Sequence, residues 1–490
     1  MNRLYIYTAA LLFTIGFSAC EEDTIETPKL NDTTYDIMVD LNEEKGIVSP
    51  LLMGFNNIYC FEKDAMWQNG SGQLPEMFKR MNTGVVRYPG GAVVNRYHWN
   101  NLNGQGWKDN WDPNYDPSDD MPATEFMDVD EYMANIIAIG AEPMLGINMG
   151  SGMKYNRVQD GIDEAVALVQ YCKDQGYEVK YWYLDNEAYH SGANYRMTPA
   201  EYAEQINLYV PAMKAVNPNI ETIVNWDSHI STQLSGMETL ISLAGENINI
   251  MEVHWYWEFG TGTFNRWVNS YPMSTKNQWY NGLSYFREIM EFTPLLHRTG
   301  HTHIKLASNE WNLGPAASPA ETPSKFESAL MISEQFSQFI DGGLFMANFW
   351  GVHWPTETYA PSVNRYLLDP TDNYSENPAV KVFEMFGDAM GKMQVRCSSL
   401  INGVYDVAIW DDENNQLIMY LVNKNQNEVP LSTGIDLKGI TAKMVTANSL
   451  ISSEDGTSSE IVQTVANIES TSRVKLSLPQ NSLTKVVITN

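Results

Sequence analysis

The stretch VKYWYLDNE, residues 179–187, decides how the rest of the chain is read. It opens with the aromatic and branched residues of a buried strand and closes on Asn186 and Glu187. A carboxylate at the end of such a strand is costly unless it is paired, hydrated or used. Outward from this stretch lie seven more apolar runs: LLMGF (51–55), GVVRYP (84–89), AEPMLGINM (141–149), ETIVNW (221–226), INIMEVHWYW (248–257), IKLASNEWN (304–312) and GLFMANFW (343–350). Between most of them the spacing predicts helices, as in GIDEAVALVQYCKDQG and TPAEYAEQINLYVPAMKAV, some ending on Gly as a helix C-terminus prefers. Eight strands alternating with helices predict parallel pairing and a closed (β/α)8 barrel, of class α/β, over residues 48–385.

After about residue 385 the texture changes to short alternating strands, GVYDVAIW, NNQLIMYLVNK, TAKMVTANS, RVKLSL and TKVVIT. These predict a C-terminal antiparallel β-sandwich over 386–490, completed by an early strand in 35–47. The Ser-rich ISSEDGTSSE reads as a loop.

With 490 residues, 43% hydrophobic and 19% charged, the chain has the composition of a globular protein with room for both domains. A net charge of −29 opposes nucleic acid and anionic lipid surfaces. Four separated cysteines, Cys20, Cys60, Cys172 and Cys397, contain no CxxC pair and suggest neither a zinc site nor a disulfide framework.

The first twenty residues, MNRLYIYTAALLFTIGFSAC, carry Arg3, then a short apolar core, then small residues before Cys20. This resembles a bacterial lipoprotein signal, which implies cleavage before Cys20 and lipid on its thiol; an ordinary secretory peptide cut near Ala19 is the alternative. Residues 21–34 read as a flexible tether, and their acidic start resembles surface-export signals of some Gram-negative gut bacteria. The implied location is the cell envelope, lipid-anchored at the outer membrane. No other contact with a membrane is expected.

In a barrel of this kind the C-terminal strand ends form the active face. Glu187 ends the fourth predicted strand and Glu310 lies near the end of the seventh. Two carboxylates across one barrel mouth are the equipment of glycoside hydrolysis, one protonating the leaving oxygen and the other attacking or activating water. A single strand-end Glu is more simply a salt bridge or helix cap. Two Asn-Glu pairs, Asn186-Glu187 and Asn309-Glu310, on strands four and seven favour catalysis. Trp350, Trp311, Trp255 and Trp257 lie at or next to predicted strand ends, where indoles stack on sugar faces, with Trp350 the first choice. His98 and Trp99 are candidates for facing the cleft, and Tyr189 and His190 for touching a leaving-group sugar.

VVRYPGGAVVNRYHW, IGAEPMLGINMGSG, KYWYLDNEAY, EVHWY, SNEWN and FMANFW occur in an order that resembles the α-L-arabinofuranosidases of glycoside hydrolase family 51, in clan A. The resemblance runs from about residue 35 to the closing LPQNSLTKVVI. It implies that Glu187 is the general acid/base and Glu310 the nucleophile of a retaining reaction. It further implies that Asn186 bonds the sugar's 2-hydroxyl, that Arg87 pairs with Glu310 and favours its ionised form, and that His254 and Tyr256 orient the nucleophile. For Arg87 a structural ion pair, and for His254 a core histidine, are the plainer readings.

The sequence departs from that family where the sugar is held. The family's GHFxEH-like stretch is MGFNNIYCFEKD here, with Asn56 and Asn57 in place of a carboxylate. Its YPGGN becomes YPGGA at Ala92, and its LGNE becomes LDNE at Asp185. Reaction class is therefore better grounded than arabinofuranose specificity, and the loop NLNGQGWKDNWDPNYDPSDDMP offers material for a longer cleft. No cofactor is called for: the HTH at 301–303 precedes strand seven at the far end of the barrel, and the DPSDD run lacks a full calcium ligand pattern. The expected substrate is a plant or algal polysaccharide or derived oligosaccharide. An endo-β-glycanase with an open cleft is the enzyme alternative, and a non-catalytic glycan-binding lipoprotein the non-enzyme one. Oligomeric state, sugar and anomer are not written in the sequence.

Overall fold

A long strand, β1 (Ile37–Ile47), opens the computed structural model, which describes residues 36–490 apart from 62–63, 68–69, 71, 228, 233, 277–280, 355–362 and 454–457. The signal segment, the tether and Cys20 lie outside the described residues. Eight strands then pair in parallel and close on themselves: β2 (Gly54–Asn56), β3 (Val85–Tyr88), β4 (Glu142–Ile147), β5 (Tyr181–Leu184), β6 (Glu221–Asn225), β7 (Ile250–Trp257), β8 (Lys305–Leu313) and β9 (Met346–Phe349). The first is shorter than expected. Pro50–Leu52 turn into a 3-10 helix whose Leu51 N–H is met by the Ser49 side chain, so extended backbone starts only at Gly54.

The pleat explains how the barrel fills. Val85, Met144, Tyr181, Tyr183, Ile223, Ile250, Ala307 and Met346 form one cluster, while their strand neighbours Val86, Leu145, Trp182, Leu184, Val224, Met251, Leu306 and Ala347 belong to the larger core against the helices. Helices return the chain between strands as the sequence predicts, with capping boxes at Asp128/Glu131, Thr198/Glu201 and Ser324/Glu327 opening three of them.

Beyond the barrel, β10 (Leu368–Asp369) and β11 (Ser375–Glu376) make a short ladder. The remaining strands are β12 (Met393–Ser399), β13 (Val404–Asp411), β14 (Gln416–Asn423), β15 (Leu431–Lys438), β16 (Met444–Ser452), β17 (Ser459–Gln463), β18 (Ala466–Ser470), β19 (Arg473–Leu478) and β20 (Ser482–Thr489). With β1 they form a single ten-stranded sheet in the order β17-β16-β20-β14-β13-β12-β1-β15-β19-β18. The sheet curls until β16 meets β18, so one of its faces encloses a core around Val395, Met419, Ile435, Val474 and Ile488. β1 runs antiparallel to β12 and parallel to β15 and is the strand that joins the two halves. The Ser-rich segment read as a loop supplies the end of β16 and the start of β17 on either side of 454–457, which lie outside the described residues.

Candidate functional site

Two local distortions aim the carboxylates. After β5 the backbone turns through left-handed conformations at Asp185 (φ 64°) and Glu187 (φ 44°), so Glu187 leaves the strand direction at the barrel mouth. On β8 the register slips by one residue against both neighbours between Ala307 and Trp311. This bulge turns Glu310 inward beside its pairing partner His254.

Around Glu310 the contacts are close. Arg87 donates from Nη1 to Oε1 at 2.9 Å, and the Tyr256 hydroxyl donates to Oε2 at 2.8 Å. The guanidinium is fully buried over the Tyr183 ring at 4.2 Å, and also donates to Asn56 at 3.1 Å and to Asn186 Oδ1 at 2.6 Å. Burial opposes its charge, but Tyr183, Glu310 and Glu252 outweigh burial and raise its pKa. Asn56 is in turn held by the carbonyls of Asn309, Asn348 and Phe349, so it fixes the arginine and not a sugar.

Glu187 bonds His254 Nδ1 at 2.8 Å, and the same nitrogen is 3.5 Å from Glu310 Oε2. The other ring nitrogen is 3.3 Å from Glu252 Oε2. Burial works against a charged ring here, yet Glu310, Glu252 and the Glu187 hydrogen bond prevail and push His254 up to about 10. Burial would raise the Glu187 pKa, but the hydrogen bond and charge of His254 hold it below the ordinary value. One oxygen of Glu187, one of Glu310 and a nitrogen of His254 lie within 4.8 Å of one another.

The carboxylates face a cleft of about 1030 Å³. Asn186, Glu187, Tyr189, His190, His254, Tyr256, Glu310 and Trp350 all line it, as the sequence suggests. Other predicted residues do not. Trp311 is fully buried between Phe336, Phe339 and Phe349 on the helix side, because it follows inward-facing Glu310 by one residue of the pleat. Trp255 follows His254 in the same way; it borders the cleft but is only 2% exposed and packs on Tyr285 and Phe339. Trp257 is also buried. Asn57 is buried against Met127 Sδ at 3.0 Å, off the cleft wall, with no partner for its Oδ1 among the described residues. His98 and Trp99 likewise miss the cleft: His98 lies between Glu164 at 2.8 Å and Asp109 at 3.2 Å, stacked on Trp111, and anchors the 101–113 loop. Asn309 of the second Asn-Glu pair is buried and does not match Asn186 in role. His301 and His303 lie before β8, at the opposite end from the cleft.

Sequence reasoning missed Trp226, Trp107, Trp354 and Arg365 on the cleft wall. Trp226 directly follows β6, so the strand-end rule already pointed to it; Trp107 sits in the loop marked for its composition. Ala92 faces the cleft beside Gly91, whose lack of a side chain admits the Trp350 indole: a Cβ there would lie 2.3 Å from the ring.

Residues 77–271 match the model of the α-L-arabinofuranosidase 1 domain, in agreement with the motif resemblance. The chain is 29% identical over 216 residues to α-L-arabinofuranosidase C of Emericella nidulans, a stretch that covers 37% of this chain and 39% of the relative. It is 26% identical over 251 residues to an intracellular exo-α-(1→5)-L-arabinofuranosidase of Bifidobacterium longum, covering 46% and 44%. The matched stretch thus spans less than half the length of these curated relatives. Over nearly the whole chain the fold is that of solved glycoside hydrolases. The α-L-arabinofuranosidase of Thermotoga maritima superposes with a TM-score of 0.69 at 19% identity, covering 93% of this chain and 99% of that one. A bifunctional glucanase-xylanase from a metagenome library gives 0.64 at 16% identity, covering 92% and 98%.

Proposed function

We propose that this protein is a retaining glycoside hydrolase, similar in its catalytic apparatus to the α-L-arabinofuranosidases, that acts on plant or algal polysaccharide or an oligosaccharide derived from it. The carrying observation is the carboxylate pair at the cleft floor, with oxygens within 4.8 Å. Carboxyl groups about 5–5.5 Å apart suit a retaining reaction and about 6.5–9.5 Å an inverting one, and the close approach of one oxygen from each glutamate favours the first reading. Glu310, steadied by Arg87 and Tyr256, attacks the anomeric carbon while Glu187 protonates the departing oxygen. Water is then deprotonated by Glu187, attacks the same carbon, and frees Glu310. Asn186, oriented by Arg87, is placed to bond the sugar beside the scissile linkage.

The sugar is a separate matter. Ala92 faces the cleft where the family places an Asn, and Asn57 lies off the wall, so neither supplies an arabinose contact. A second reading, internal cleavage of a β-linked glycan, is favoured by the aromatic cleft. Trp226 follows β6, next to the strand that leads to Glu187, and Trp350 follows β9, next to the strand of Glu310, which puts stacking surfaces on both sides of the carboxylates.

The test is turnover of a panel of aryl glycosides and polysaccharides, with early-time NMR of the product anomer, for the protein beside Glu310→Gln and Glu187→Gln. Retention of configuration and loss of turnover in Glu310→Gln support the proposal. Inversion, or unchanged hydrolysis in both variants, refutes it, and persistent glycan binding with no hydrolysis would leave the binding-lipoprotein reading. Arabinose release separates the first reading from oligosaccharide release, the mark of the second. We further propose that lipid on Cys20 ties the enzyme to the outer membrane; Cys20→Ala should move it from the membrane to the soluble fraction, and retention in the membrane would overturn this.

A further inference from the structure

Glu252 belongs to no part of the mechanism so far, yet it is fully buried at the floor of the site. Its Oε2 takes the backbone N–H of Asn309 at 3.1 Å, the amide that the β8 bulge withdraws from the ladder, and lies 3.3 Å from His254 Nε2. Its Oε1 has no hydrogen-bond partner among the described residues. A buried acid with one orphaned oxygen is costly unless its charge is needed. We propose that Glu252 is a positioning residue that holds the His254 ring charged between the catalytic carboxylates, so that His254 supplies the proton which Glu187 passes to the leaving oxygen.

This rests on the hydrolase reading above and adds the source of the proton. The charged groups that face the ring are Glu187 on the loop after β5, Glu252 on its own strand and Glu310 on β8; Arg87 on β3 and Tyr256 bond Glu310, and the charges of His190 and Arg87 act on Glu187. Glu187 is held ionised at rest and cannot donate until it receives the Nδ1 proton across 2.8 Å. When Glu310 bonds to the sugar its negative charge is consumed, and the support for the imidazolium weakens at that moment. The proton moves from Nδ1 to Glu187 and on to the leaving oxygen as the glycosidic C–O bond breaks. Hydrolysis reverses the flow: the proton of the attacking water returns through Glu187 to His254 as the Glu310 carboxylate is released. No net charge enters or leaves the cluster in either half. Glu252, 3.3 Å from Nε2, is the anchor that lets the ring recover its proton.

The test is the His254 titration, followed by nitrogen NMR of histidine-labelled whole chain and assigned with His254→Ala, in the wild type, Glu252→Gln and Glu252→Asp. The wild-type midpoint is expected well above the ordinary histidine value of about 6.5. Glu252→Gln should lower it by about 1 to 3 pH units, the effect of removing one nearby opposite charge, and the basic limb of the kcat/KM profile should move down with it. Glu252→Asp, which keeps the charge, should restore most of both. A wild-type midpoint near the ordinary value, or equal midpoints in wild type and Glu252→Gln, overturns the proposal; if Glu252→Gln does not fold, the wild-type and Glu252→Asp titrations still decide it. Failure of the hydrolase reading would show differently, as absence of turnover in the wild type whatever the titration.

Discussion

Tyr256 shows what one residue contributes at this site. Its hydroxyl donates to Glu310 at 2.8 Å, and a hydrogen bond to a charged group is worth about 1.5–3 kcal/mol. Tyr256→Phe should therefore lower kcat/KM about 10- to 150-fold with little change in melting temperature. Steady-state kinetics check this; an unchanged kcat/KM would mean the contact is not used in the transition state. Asp185 makes a pH prediction. Buried, with one oxygen accepting from Asn95 at 2.5 Å, its carboxyl is pushed up to about 7 by burial. A pKa raised by folding means stability that is present in acid and lost as pH rises through the folded value. Asp185→Asn removes that loss, so its melting temperature relative to wild type should rise between pH 5 and pH 8. Equal differences at both pH values would refute the assignment. Among residues, the sequence revealed the two glutamates, Arg87 and Asn186 through motif and position. It did not reveal Glu252, since nothing in EVHWY tells a buried acid from a strand-surface one.

At the scale of elements, the pleat decides which neighbours of a catalytic residue share its face. Reading strand ends without that alternation put Trp311 in the cleft, where only the residues one step away belong, and Trp255 reaches no more than its border. The β8 bulge is a second element-level fact that no local pattern encodes, because it exists only against the registers of β7 and β9. The turn after β3 is a third. Gly91 has φ 39° and lies under the Trp350 indole. Gly91→Ala should displace that ring and raise KM more than it lowers kcat, since a stacking surface is lost while the carboxylates stay. Kinetics on a polymeric substrate measure the split, and a pure kcat effect would argue against stacking on Trp350.

At the scale of the molecule, the barrel and the C-terminal sheet are joined through a buried ion pair. Lys424, just after β14, reaches Glu334 on the helix Lys325–Gly342 at 2.5 Å, with both side chains essentially unexposed. The ammonium also donates to the Trp267 carbonyl at 3.2 Å, and Glu334 accepts the Met273 N–H at 2.6 Å. Removing one member leaves the other as an uncompensated buried charge, at a cost of about 3–5 kcal/mol. Lys424→Met should lower the denaturation midpoint accordingly. A Lys424→Met/Glu334→Gln double variant should recover part of the loss, and a midpoint unchanged in Lys424→Met would show that the seam does not depend on this pair.

The sequence by itself determined the alternation of strands and helices, hence the barrel, and the positions of Glu187 and Glu310 on its active face. Those follow from hydrophobic period and chain order, which are local properties of the polypeptide. Only the tertiary structure decided which aromatic rings face the cleft, that the C-terminal strands form one curled sheet, and that His254 sits among three carboxylates. Each of these depends on register and on charges brought together from strands far apart in the chain, where burial and Coulomb interaction act over a few ångströms of space and not along the sequence.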